Sequence, residues 1–151
     1  MVKARGDERT GDLLSWEPPK VAAGFESGAI RGSRLSSRIS QAVALSLKQS
    51  ELSRAEIAAA MSTELGYAVS ENMLANYASE GAESHRITLE RFIALIEATG
   101  CTDLLGFVAE MFGKVVVEAK YRALINVHLA EEAEQKILKF KAAEKAKWGA
   151  I

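Results

Sequence analysis

From Leu35 onward the apolar residues return every three or four positions, the spacing that places them on one face of an α-helix. Leu35, Ile39, Ala42, Val43 and Leu47 form the first such stripe, which ends near Gln49. Ser53-Arg54-Ala55-Glu56 then reads as a capping box, in which the serine takes an orphan amide and the glutamate reaches back. A second helix follows through Ile57, Ala60, Met61 and Leu65, and Gly66 stops it. Ser70 is the N-cap of a third helix, with Glu71 suiting the positive end of its dipole; it runs through Met73, Leu74 and Tyr77 to about Glu80, with Gly81 as its stop. Thr88 caps a fourth helix through Leu89, Phe92, Ile93 and Ile96, closed by Gly100. Thr102-Asp103 opens a fifth through Leu104, Leu105, Phe107, Val108 and Met111, closed by Gly113.

The flanks break this rhythm. Residues 1–32 scatter glycines, carry the helix-blocking Pro18-Pro19, and read as an irregular arm. Within it, Leu13, Leu14 and Trp16 cluster; they either fold back on the domain or form a short peptide that docks a partner. Lys114 to Glu118 is the one β-prone run, read as a short extended connector. A last helix begins near Ala119 and reaches Lys147, with Tyr121, Ile125, Leu129, Ala133, Ile137 and Phe140 at helical spacing. Its first half, His128 included, reads as a buried face; its second half is dominated by lysines. The expected fold class is therefore all-α, in three parts: an arm over 1–32, a five-helix domain over 33–113, and a connector with a long helix over 114–151.

Composition narrows the function. The chain has 151 residues, 48% apolar, enough for a real core. A lone cysteine, Cys101, excludes an internal disulfide framework and fits a reducing cytoplasm, where it serves as a small apolar group. No apolar stretch is long enough to span a bilayer, and the first ten residues lack the apolar core of a signal peptide, so a soluble cytoplasmic protein with no membrane partner is expected. Net charge is −1 but unevenly spread: +2 over residues 1–40, −6 over 41–113 and +3 over 114–151. The two histidines, His85 and His128, lie far apart. No Cys/His spacing suits zinc, no glycine loop suits phosphate and no serine elbow occurs, so neither a catalytic site, a metal nor a cofactor is expected.

The second and third helices are joined by a short turn, with the small Ala58 inside the first and the apolar Val69 before the capped start of the second. A fourth helix follows, Ile87-Thr88-Leu89-Glu90-Arg91-Phe92-Ile93-Ala94-Leu95-Ile96-Glu97-Ala98-Thr99-Gly100. Over about residues 36–112 this order resembles the lambda-repressor-like (Cro/repressor-type) helix-turn-helix domain. It departs from that pattern in a second helix longer by about a turn, since Gly66 comes eight residues after Ala58.

The stretches Leu13 to Ala22 and Ser79 to Ile87 also resemble small proteins of Mu-like transposable phages and prophages, which implies a phage origin in a bacterium. The lambda-repressor-like resemblance, in turn, implies a DNA-binding regulator whose third helix, about residues 70–80, enters the major groove. Asn72, Asn76 and Ser79 would face bases, asparagine being able to pair with an adenine edge. Lys48, Arg54, Arg86, Arg34 and Arg38 would face the backbone, with Arg91 a further cation in reach. A chain so poor in basic residues should bind weakly alone, so a homodimer through the C-terminal helix is expected. The alternative is a non-catalytic adaptor that uses the bundle, Trp16 and the last helix to hold a phage or host protein.

Overall fold

The computed structural model describes residues 20–82 and 84–149, and its regular structure is mostly helical. Five short helices come first: α1 (Leu35–Gln49), α2 (Arg54–Leu65), α3 (Glu71–Tyr77), α4 (Leu89–Thr99) and α5 (Asp103–Glu110). The long α6 (Arg122–Trp148) follows a 3₁₀ turn at Ala119–Tyr121. Trp16 and the leucines before it lie outside the described residues.

Local chemistry accounts for most of the boundaries. The box at α2 closes both ways: the Ser53 amide donates to Glu56 Oε2 at 2.8 Å, and the Glu56 amide donates to Ser53 Oγ at 3.3 Å. Ser70 and Thr88 cap α3 and α4 by accepting from the Met73 and Arg91 amides. Gly66 and Gly100 end α2 and α4 in the left-handed conformation, at φ 72° and 65°, where a side chain would be strained.

Two expected signals act differently. Gly81 is not the stop of α3; the helix ends at Tyr77, and the chain turns away through Ser79 N–H···O=C of Asn76 and Ala82 N–H···O=C of Ser79. Thr102 makes no side-chain cap at α5. Replacing Ser53 with alanine should cost about 1 kcal/mol in urea unfolding. The Glu56 carboxyl is held below the usual carboxylate range, first by the Ser53 hydroxyl and then by its amide. A carboxyl lowered in this way adds stability above its ordinary pKa and loses it as pH falls through its lowered value. The stability gap between the parent and Ser53→Ala should therefore narrow in acid; a gap that is constant from neutral pH into the acid limb would contradict this.

The core sits where the five helices converge. Val43, Ile57, Met61, Leu74, Leu95 and Leu104 are fully buried, one or two from each helix, with Ala58, Val69, Tyr77 and Phe107 around them. Among the helices the main pairings are α2 on α4 and on α3, and α1 on α5.

The arm is not irregular throughout. Ala22–Ala23 (β1) pairs antiparallel with Val116–Val117 (β2), with Ala22 opposite Val117 and Ala23 opposite Val116. This small ladder lies on α5, and Asp103 clamps it there. The Asp103 carboxylate accepts from the Gly24 amide at 2.9 Å and from Lys20 Nζ at 2.9 and 3.1 Å. Lys20 Nζ also donates to the Gly24 carbonyl at 2.5 Å. Phe25 and Ile30 then pack against the core. A two-residue strand pairing across more than ninety residues leaves no alternation to read, which is why the sequence showed only a loose arm and a connector.

The expectation of a buried first half for α6 is overturned. Every described residue from Arg122 to Gly149 is exposed, with Leu124 at 65% and Phe140 at 66%. His128 lies in solvent beside Glu132, at 3.5 Å, and is not packed. In its first half Leu124 and Val127 fall on a different side from Leu129 and Ala133, so that half presents no single apolar face toward the bundle. Among the described residues no helix is long and apolar enough to cross a membrane.

Candidate nucleic-acid interface

Helix α3 has seven residues, too few to persist alone, so its orientation is set by what surrounds it. Leu74 and Tyr77 are buried on its inner side and Val69 plugs the turn before it. Ser62, on α2, locks that turn. Its hydroxyl accepts from the Val69 amide at 2.8 Å and lies 2.7 Å from the Ala58 carbonyl, to which it can donate. This serine was not singled out by the sequence, yet it ties the second half of α2 to the turn before α3. An apolar-to-polar change inside a helix stripe is its only sequence signal.

A second brace comes from α4. Arg91 Nη1 donates to the Tyr77 hydroxyl at 2.5 Å, and Arg91 Nε to the Tyr67 hydroxyl at 3.4 Å. The guanidinium also lies 5.4 Å from the Tyr67 ring centre, and Tyr67 donates to Glu90 Oε2 at 3.2 Å. The Tyr67 hydroxyl is the main cause of a raised Arg91 pKa, so the cation is held firmly in its charged form. Arg91 is thus a half-buried brace between the α2–α3 turn, α3 and α4.

The outer side of α3 presents Glu71 and Asn72 to solvent, while Asn76 is half-buried. Ser79 is exposed but lies beyond the end of α3. The structure brings Ser79 together with two of the expected cations. Arg34, Ser79 and Arg86 line one cleft of about 410 Å³ between the start of α1 and the α3–α4 loop, with His85 beside them. Leu35, Ile39, Tyr77 and Ile87 give it apolar walls. Glu80 lines it as well and accepts from the Ser37 hydroxyl, so its charge is mixed.

Lys48 and Arg54 are not part of that cleft. Both are exposed, in the last turn of α1 and at the first position of α2, on either side of the short Ser50–Ser53 connection. Arg38 lies over the Phe107 ring at 5.7 Å, held toward α5. Cys101 is half-buried and partly packed against the core; burial is the main cause that pushes its thiol pKa up, which favours the protonated thiol. No family model, curated protein or solved structure is found to match the chain.

Proposed function

We propose that this protein is a non-catalytic DNA-binding regulator of phage or prophage type, with α3 as its reading helix. The observation that carries the reading is the seating of α3. A helix of seven residues is capped at Ser70, plugged at Val69, braced by Ser62 and Arg91, and left with Asn72 open to solvent. Rigid support of a short polar helix is what a base-reading element needs, because base pairing with a side chain depends on fixed geometry. Asn72 and Asn76 are the proposed readers, Lys48 and Arg54 the backbone contacts, and Arg34, Ser79 and Arg86 a second contact point at the far end of α3.

Two features favour the adaptor as the second reading. The bundle carries ten acids against four basic residues over 41–113, which repels phosphate. Leu105, Val108 and Phe112 also form an exposed apolar stripe along α5 and just past its end, which suits a protein partner.

Titration of the full chain against genomic DNA fragments at two salt concentrations separates the readings. Binding that weakens with salt supports DNA as the target; no binding at low salt rejects it in favour of the adaptor. On selected sites, Asn72→Ala and Asn76→Ala should each lose roughly 1–3 kcal/mol of discrimination and leave the salt slope unchanged. Arg54→Ala should weaken all sequences alike and flatten the slope by about one unit. If the asparagine variants bind selected sites as the parent does, α3 is not a reading head.

A further inference from the structure

The long helix α6 is exposed over its whole length, and Trp148 at its end is 81% exposed. Twenty-seven residues at 1.5 Å each make it about 40 Å long. Its charge divides sharply at the middle. Residues 122–135 carry Glu131, Glu132 and Glu134 against Arg122 alone; residues 136–148 carry five lysines and only Glu144. The first half is therefore −2 and the second +4. Across the division runs one continuous apolar stripe, Ala130, Ala133, Ile137 and Phe140, at spacings of three, four and three.

We propose that α6 is a self-association surface, pairing antiparallel with α6 of a second copy of this chain. Charge decides both partner and direction. In an antiparallel pair the acidic half of each helix lies beside the lysine-rich half of the other, and the helix dipoles oppose. In a parallel pair, +4 faces +4 and −2 faces −2, and the dipoles align. The apolar stripe fits the same arrangement. Its centre lies near residue 135, so antiparallel crossing there sets Ala133 against Ile137 and Ala130 against Phe140 of the second copy. A small residue opposite a large one lets the backbones approach and fills the space between them. The pairing requires no DNA and stands or falls separately from the reading given to α3.

Sedimentation of the full chain tests it. Mass should rise from 16.3 kDa toward twice that value as concentration increases. Ile137→Glu with Phe140→Glu should abolish the rise while helical content and the unfolding midpoint of the bundle hold. Lys136→Glu, Lys139→Glu and Lys141→Glu together should weaken association at least tenfold, and added salt should weaken the parent as well. Direction is read by oxidation in a Cys101→Ser background. Ala123→Cys mixed with Lys147→Cys should form a mixed disulfide, and neither alone should form a homodisulfide. A chain that stays at 16.3 kDa up to millimolar concentration overturns the proposal. So does a dimer that survives the double glutamate variant, or a homodisulfide from Ala123→Cys alone.

Discussion

Replacing Gly106 with alanine should destabilise the fold by about 3 kcal/mol, although the same change in most helix interiors stabilises. Gly106 lies inside α5 with ordinary helical backbone, where alanine is favoured over glycine by roughly 0.5–1 kcal/mol. Against that gain stands the backbone of the N-terminal segment. A methyl group on Gly106 would sit 2.0 Å from the Ala23 carbonyl oxygen and 2.6 Å from the Gly24 Cα. Neither atom belongs to a flexible side chain, so one whole segment has to move. Gly24 is itself tied to Asp103 through its amide, which removes the easy escape. The clash outweighs the propensity gain, and the expected response is release of β1 from α5. Urea unfolding gives the loss, and hydrogen exchange should show the Gly24 amide losing protection while the amides of α2 and α4 keep theirs. A variant as stable as the parent, with that amide still protected, would mean that β1 is not seated on Gly106.

What the sequence conveyed well is whatever is decided within a few residues. The capping box at Ser53, the caps at Ser70 and Thr88, and the left-handed glycines at 66 and 100 involve partners at most four positions apart, so local pattern reveals them. Ala58 and Val69, taken as the small residue and the plug of the turn, are both buried. Long-range groups were hidden. Asp103 reads as the opening of a helix, yet it clamps Lys20 and Gly24 from about eighty residues away. Gly106 carries no visible sign that a backbone passes over it. Arg91 has the residue type of a phosphate contact, and only the approach of Tyr67 and Tyr77 turns it into a brace. On α6 the reverse holds: apolar residues at helical spacing imply a covering surface, and none of the described residues supplies one.

Leu74→Ala should cost 2–5 kcal/mol, the range for emptying a closed core site of a leucine. Leu74 is fully buried, at the point where α3 meets the rest of the core. The lost methyl groups and the cavity they leave both count, because neighbours as constrained as Ile57, Met61 and Leu95 collapse only in part. Leu104 on α5 is equally buried and makes the right comparison. Leu104→Ala should lose a similar global stability, yet α5 is also held by Phe107 and by the Asp103 clamp. Helix α3 has Tyr77 as its other fully packed anchor and cannot persist alone, so its orientation should loosen well before the domain unfolds. Under conditions where both variants remain folded, exchange at the α3 amides should quicken in Leu74→Ala and not in Leu104→Ala. Any DNA affinity should fall with it, because a reading helix that tilts loses its base contacts. A cost below 1 kcal/mol, or equal loosening of α3 in the two variants, would show that α3 is fixed by its polar braces and not by its core anchor.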